Sequence, residues 1–322
     1  MLGFLLRRLA ATVFILFAIS ALTFLIFFAT PGIDPAARIA GRNADQATLA
    51  QVRASFGLDQ PLPVRYGLMM KHLFIDGDLT SYVNRGQQVL PQILAAIPVT
   101  LSLVIGGAVI WMIVGITFGT LSARGRGRIL DPLLSVLGLI GVSIPVYWLG
   151  EVVNLLTQSR LHESVFFWVP PLGYTPLTQN PAQWALHLLF PWLTLAVLYA
   201  GIYARVLRGE LLGALSEDYV RTARAKGVSE RRVLLKHALR TSLIPIVSLF
   251  GLDFGALVGG AALLTEVVYN LPGLGRLTFS ALQSTDLPVI ISAVVYAAFF
   301  VVLANAVVDL LYARLDPRVR RA

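Results

Sequence analysis

Six long apolar runs dominate this sequence and decide which solvent it folds in. They lie near residues 9–30, 98–121, 132–157, 186–206, 244–268 and 287–313. A helix needs roughly 20 apolar residues to cross a hydrocarbon core about 30 Å thick, and these runs are of that length. Inside such a core, backbone N–H and C=O groups must bond within the protein, which a helix achieves alone. The sequence therefore predicts an all-α polytopic membrane protein with about six transmembrane helices.

The positions of the basic residues predict how the chain crosses the membrane. If the N-terminus is cytoplasmic, the cytoplasmic segments hold 18 of the 26 Lys and Arg residues. The positive-inside rule then places both termini in the cytoplasm of a cell with this chain in its inner (plasma) membrane. The net charge of +9 is thus explained by the membrane topology. We expect membrane lipid as a partner and no nucleic acid.

The chain divides into four predicted segments. Residues 1–30 form an N-terminal transmembrane helix, since no small-residue cleavage site follows the first apolar run. Residues 31–97 are extracytoplasmic, residues 98–313 form the core transmembrane domain with a cytoplasmic loop at 207–243, and residues 314–322 form a cytoplasmic tail.

The extracytoplasmic segment contains two stretches with helical spacing. The first is predicted to be capped by Asp45 and closed by Gly57, with an apolar face of Leu49, Val52 and Phe56. The second follows Pro63, ends at residues 76–78, and has an apolar side of Val64, Leu68 and Met69. This segment either docks a partner that delivers substrate or is a packing element without a ligand.

The most informative segment is the basic loop at residues 217–240. Gly227 is predicted to end one short helix in a left-handed conformation, and Ser229 to cap a second. The second helix places Val233, Leu234 and Leu235 among basic residues, a pattern that suits docking into a groove of a soluble partner. The alternative is a basic loop lying on anionic headgroups.

The stretch from Tyr219 to Pro245 resembles the EAA loop of binding-protein-dependent ABC importers, which contacts the ATPase subunit. The signature aligns as Arg221-Thr222-Ala223, three residues, then Gly227. The first Glu and the first Ala of the signature are replaced, and Pro245 lies later than usual; both departures resemble the peptide and nickel branch. The resemblance assigns ATPase coupling to Tyr219, Arg221, Thr222, Ala223, Lys226, Gly227, Ser229, Glu230 and Arg231.

Further blocks along nearly the whole chain resemble the same branch. Among them are Phe56-Gly-Leu-Asp-Gln-Pro, Ser143-Ile-Pro-Val-Tyr-Trp, Pro272-Gly-Leu-Gly and Leu315-Asp-Pro-Arg. They most resemble the B-type permease of dipeptide and oligopeptide importers. The resemblance implies a type I ABC importer permease fold that pairs with a second homologous permease, two ABC ATPase subunits and an extracytoplasmic substrate-binding protein.

The sequence contains no phosphate-binding G-x-x-x-x-G-K-[ST] loop. We therefore expect ATP and Mg²⁺ to be bound by partner subunits, with no cofactor, metal or active site on this chain. The absence of cysteine excludes disulfides and thiolate ligands.

The fifth apolar run carries the candidate residues within the membrane. Gly251, Gly255 and Gly259 recur every four residues and predict a ridge for close helix packing, including packing against the second permease. Asp253 points away from that ridge, at a cost of about 2.5–3.5 kcal/mol for a charge in a membrane helix. It either lines the pore or is paired within the bundle. Glu266 is predicted to lie on the ridge side and contact the second permease.

The predicted function is the permease subunit of an ATP-driven peptide importer. An alternative is the same machinery for nickel, glutathione or another solute. A more distant alternative is a gradient-driven secondary transporter, which usually shows repeated halves.

Overall fold

The computed structural model describes residues 2–28, 36–37, 45–55, 57–84, 86–159 and 161–315. Phe56 and residues 316–322, most of the predicted tail, lie outside the described residues. Five helices in the described part are long and apolar enough to cross a membrane. They are α1 (Leu2–Phe28), α4 (Val89–Arg124), α7 (Pro181–Ala214), α9 (Glu230–Ala261) and α12 (Leu287–Leu315). The predicted all-α class is confirmed.

The third predicted span is broken into α5 (Leu130–Ser143) and α6 (Val146–Thr157). The two helices are bent by 93°, and counting them as one span gives six. Ile144 has an extended backbone (φ −88°, ψ 123°) because the ring of Pro145 clashes with a helical residue before it. The break between the two helices therefore lies at residues 143–145.

The fifth predicted span is also interrupted, at a place that the sequence analysis missed. α9 contains wider π-type turns at Val233–Ala238 and Leu257–Ala261. Gly260 has a φ of 116°, which L side chains rarely adopt, and a short helix α10 (Leu263–Val268) follows. The predicted run at 244–268 is therefore two helices, and helical spacing does not carry across Gly260.

The described residues form two compact units, one within residues 2–98 and 272–302 and the other within residues 99–271 and 303–315. The first contains α1, α2 (Gln46–Ser55), α3 (Leu62–Lys71) and α11 (Leu274–Ser284), with parts of α4 and α12. Its apolar core includes Phe24, Met69, Ile93 and Ile291. The Asp45 carboxylate accepts the N–H of Thr48 at 2.9 Å, which confirms the predicted cap of α2.

The predicted apolar face of α3 is partly wrong. Val64 and Leu68 are 46% and 43% exposed, whereas Met69 is 6% exposed. Leu62 and Tyr66 pack against the core instead. The buried face follows the 62-66-69 spacing of one helix side, and Tyr66 satisfies its hydroxyl there through a 2.6 Å hydrogen bond with Ser20.

The second unit is built around α7, against which α5, α6 and α9 pack. α7 begins at Asn180, whose side-chain oxygen accepts the N–H groups of Ala182 and Gln183, both at 3.1 Å. A Cβ on Gly201 of α7 would meet the backbone of Gly138 of α5 inside contact distance. Glycine at both positions lets these two backbones approach closely.

Candidate functional site

The basic loop folds as two helices that meet at Gly227. The first, α8 (Asp218–Ala225), is followed by Gly227 with a φ of 75°. The Gly227 N–H donates to the Arg224 carbonyl at 2.9 Å, and the Val228 N–H donates to the Ala223 carbonyl at 3.2 Å. These bonds define a Schellman motif, which requires a left-handed residue at Gly227. The predicted arrangement of helix, glycine and helix is confirmed.

A small apolar cluster closes the turn from inside. It consists of Val220, Ala223 and Val233, with Leu215 and Val228 packed against it. Val220 and Val233 have no exposed surface. The loop therefore has its own hydrophobic interior and is more than a basic chain lying on headgroups.

This interior corrects the predicted docking strip. Val233 and Leu234 are 0% and 8% exposed, so only Leu235, at 46%, presents an apolar side chain outward. The turn at Gly227 brings α8 against the start of α9, and this contact covers the first residues of the predicted docking strip.

An ion pair bridges the turn on the outside. Arg224 donates from Nε to Glu230 Oε1 at 2.7 Å and from Nη2 to Glu230 Oε2 at 3.2 Å. The Glu230 carboxylate raises the pKa of Arg224. Both side chains are largely exposed, so the ion pair contributes little to the free energy of unfolding. Its main effect is to orient the two helices. Arg224 was missed in the sequence because it lies outside the aligned signature positions.

Ser229 lies at the start of α9 as predicted, but its side chain makes no capping hydrogen bond. Its backbone carbonyl accepts the N–H groups of Arg232 and Val233, both at 2.9 Å. The predicted side-chain cap is therefore wrong.

The remaining predicted coupling residues divide by exposure. Ala223 is buried in the apolar cluster, at 9% exposed. The others face outward on the two helices and the turn: Tyr219, Arg221, Thr222, Lys226, Ser229, Glu230 and Arg231. We call these seven residues, together with Gly227 and Leu235, the loop surface. Most of its nine residues are polar, and Tyr219 and Leu235 are its large apolar contributors.

Asp253 is partly exposed on α9 and is held from one side by α7. The Tyr203 hydroxyl donates to Asp253 Oδ2 at 2.9 Å. Tyr203 itself is fully buried, beside the ring of Trp111 at a centroid distance of 6.2 Å. The carboxylate is therefore hydrogen-bonded within the bundle and still has some exposed surface, and its pore-lining role stays a prediction.

The predicted glycine ridge on α9 is largely covered within this chain. Gly251 and Gly255 are buried and Gly259 is partly exposed. α9 packs against α7. Packing of this ridge against a second permease stays a prediction.

Glu266 lies elsewhere than predicted. It is 0% exposed, and its carboxylate accepts a hydrogen bond from the Thr100 hydroxyl at 2.6 Å. The break at Gly260 removes the helical register that placed Glu266 on the ridge. A side chain buried inside this chain does not present the surface that a contact with a second permease needs.

A buried ion pair near the ends of α5 and α7 was missed in the sequence. Arg208 donates from Nε and Nη2 to the two oxygens of Asp131, at 2.6 and 2.7 Å. The Ser122 hydroxyl donates to the same carboxylate at 2.5 Å. Opposite charges at matching ends of two apolar runs were a signal that could have identified the pair.

Among the described residues, one group of side chains could hold a metal ion: His72, Asp76 and Asp78. His72 Nδ1 lies 2.7 Å from Asp78 and 3.4 Å from Asp76, and Lys71 Nζ lies 3.4 Å from Asp76. The group is a surface network of ion pairs in which a lysine competes for a carboxylate.

Comparison with known proteins gives consistent matches along the chain. A family model described as the binding-protein-dependent transport system inner membrane component matches residues 115–321, and one for the N-terminal part of such membrane components matches residues 1–104.

Several curated relatives match nearly end to end. A "Probable peptide ABC transporter permease protein" of Sinorhizobium fredii is 37% identical, over 98% of this chain and 99% of the relative. A "Probable D,D-dipeptide transport system permease protein" of Escherichia coli is 37% identical, over 98% and 96%. A "Glutathione transport system permease protein" of Salmonella paratyphi A is 39% identical, over 99% of each.

Proposed function

Because the chain belongs to the family of binding-protein-dependent transport system inner membrane components, a family of non-catalytic ABC permeases, we propose that it forms half of the pore of a peptide importer. In this proposal a second, homologous permease forms the other half, and a substrate-binding protein delivers the peptide from outside. ABC ATPase chains bind ATP and Mg²⁺ and contact the loop surface, which lies between residues 219 and 235. Membership of an ABC permease family disfavours the gradient-driven alternative.

The observation that carries the coupling proposal is the folded turn at Gly227. Its Schellman hydrogen bonds, apolar cluster and ion pair make the loop a defined body, and its outward residues are mostly polar. The loop is continuous with α7 on one side and α9 on the other. A movement of the loop surface is therefore transmitted directly to two membrane helices.

The mechanism follows from this connection. Closure of the ATPase pair moves the loop, α7 and α9 tilt, and pore access changes from one side of the membrane to the other. ATP shifts the population between the two arrangements because the closed ATPase pair binds one of them more tightly.

We place Asp253 at the pore, where its carboxylate attracts the cationic end of a peptide. The hydrogen bond from Tyr203 fixes one of its oxygens, and its exposed surface is available to a solute. A partly exposed carboxylate in a membrane helix is tolerated where water or a polar solute reaches it.

The substrate class proposed is short peptides. The names of two relatives include peptide or D,D-dipeptide, and a third is a glutathione permease. Glutathione is a small peptide-like solute, so it is the alternative substrate with a specific observation in its favour. The predicted nickel alternative has no such observation among these relatives.

Substitutions at Gly227 test the coupling proposal. In the purified complex, Gly227→Asn should retain most peptide-stimulated ATPase activity, Gly227→Ala should lose part of it and Gly227→Val nearly all. A left-handed residue costs about 1–2 kcal/mol for most L residues, less for Asn and most for β-branched ones. A Cβ at Gly227 meets nothing within 4 Å, so this series changes backbone strain rather than packing.

Gly209→Ala is the matched control, because Gly209 lies within the helix α7 and also has open space around it. This variant should couple as the wild type does. Full coupling in Gly227→Val, with the protein inserted normally, would reject the proposal that the turn transmits the ATPase movement.

A further inference from the structure

A cavity of about 230 Å³ lies between α4, α5 and α7, close to the ends of α4 and α5 that the short segment at residues 125–129 connects. One part of its lining is polar, with Ser135, Arg205 and Arg208. Another part is apolar, with Phe118 and Leu134. The cavity is therefore amphipathic and has two arginines at its polar part.

Among the residues that the structure describes, one of the two arginines of the cavity has no anionic partner. Arg208 uses Nε and Nη2 on Asp131, which leaves its other N–H groups for a further acceptor. Arg205 is exposed, and its side chain has no ion pair or hydrogen bond among the residues that the structure describes. An anion with several oxygens, such as a phosphate group, fits between two guanidinium groups.

The lengths of α4 and α7 indicate that the cavity lies near the level of the lipid headgroups. Ser122, which also lines it, is two residues before the end of α4, or about 3 Å along the helix. α7 has 34 residues and is about 51 Å long, which exceeds a hydrocarbon core of about 30 Å. Arg205 is nine residues before the end of α7, so an end of this helix beyond the core holds both arginines near the interface.

We propose that this cavity binds the phosphate of an anionic phospholipid, with the phosphate at Arg205 and Arg208 and the start of an acyl chain against Phe118 and Leu134. Basic pockets between membrane helices are suited to such headgroups. Inorganic phosphate shares the headgroup chemistry but has nothing to place against the apolar part. The lining of this cavity includes neither Asp253 nor any residue of the loop surface.

Native mass spectrometry of the purified full-length chain in detergent tests the proposal. The chain is titrated with phosphatidylglycerol or phosphatidylcholine, and phosphatidylglycerol should bind more tightly. Arg205→Gln should weaken phosphatidylglycerol binding about five-fold, the value of one basic residue near an anionic headgroup. Arg240→Gln is the matched control, because it removes one exposed arginine that does not line the cavity.

Inorganic phosphate is then added as a competitor at the concentration of the lipid. Retention of the bound phosphatidylglycerol supports the proposal, whereas its displacement by phosphate identifies a site for free anions and overturns it. Equal binding of phosphatidylcholine, or an Arg205→Gln variant that binds like Arg240→Gln, also overturns it. Arg205 is exposed, so its replacement should leave the fold intact, which the apparent melting temperature checks.

Discussion

Asp131 is a carboxylate at the first turn of a helix that enters the membrane, and its surroundings satisfy it completely. It is 7% exposed and accepts hydrogen bonds from both Arg208 and Ser122. Its place near the N-terminus of α5 adds a favourable interaction with the helix dipole. The three side chains join α4, α5 and α7 at one level.

Removal of the Asp131 charge should therefore destabilise the protein. We expect Asp131→Asn to cost about 1–3 kcal/mol, less than the loss of a fully buried ion pair because the Arg208 side chain is 31% exposed. The apparent melting temperature in detergent should fall. Asp218→Asn is the control, since its ion pair with Arg221 joins side chains that are 93% and 74% exposed. Equal melting temperatures for the two variants would contradict the structural role of Asp131.

Single residues also show what the sequence could and could not reveal. Gly227, Asp45 and Pro145 act through the local backbone, and their roles were predictable from neighbouring residues. The pairing of Asp131 with Arg208 joins residues 77 positions apart, and one sequence gives no information on which helices are neighbours. The same limit explains why the burial of Glu266 against Thr100 was not foreseen.

At the scale of elements, the contact between α5 and α7 depends on paired glycines. Gly201 of α7 faces the Gly138 backbone, and a Cβ on Gly141 would lie 2.6 Å from the Val197 carbonyl oxygen. Backbone atoms cannot move aside as a flexible side chain can. The spacing of two helices is thus set by residues that have no side chain.

Gly201→Val should separate these helices and lower the apparent melting temperature clearly more than a typical single substitution, which costs about 1 kcal/mol. Gly209→Ala, in the same helix with open space around it, should leave the melting temperature unchanged or raise it, because alanine favours a helix. A wild-type melting temperature for Gly201→Val would show that the two backbones are not in contact.

Sequence pattern identified one set of candidate packing glycines and missed another. The repeat at Gly251, Gly255 and Gly259 is visible within one helix, whereas Gly138 and Gly201 match each other only across two helices. The apolar runs were also shorter than the helices, because α4 and α7 continue into polar surroundings at their ends. Hydropathy identifies the part of a helix that lies in the membrane and not the full length of the helix.

For the whole molecule, the approximate number of candidate membrane spans, the all-α fold class and the family were predictable. They depend on long apolar runs and on motifs spread along the chain. The break in α9 at Gly260 was missed, although the pair Gly259-Gly260 is a dipeptide that often marks a turn. The sequence analysis interpreted Gly259 as part of a ridge for helix packing. The central claim concerns assembly: the loop surface contacts an ATPase chain.

Cross-linking tests this claim most directly, because a chain without cysteine allows single cysteines to be placed without background. Arg231→Cys lies on the loop surface, and Glu163→Cys is an exposed control in the segment between α6 and α7. With a short cross-linker that carries a maleimide and a photoreactive benzophenone, in membranes that contain the whole transporter, Arg231→Cys should capture a chain carrying a G-x-x-x-x-G-K-[ST] motif, and Glu163→Cys should not. Capture of that chain from position 163 and not from position 231 would contradict both the coupling surface and the orientation of the chain.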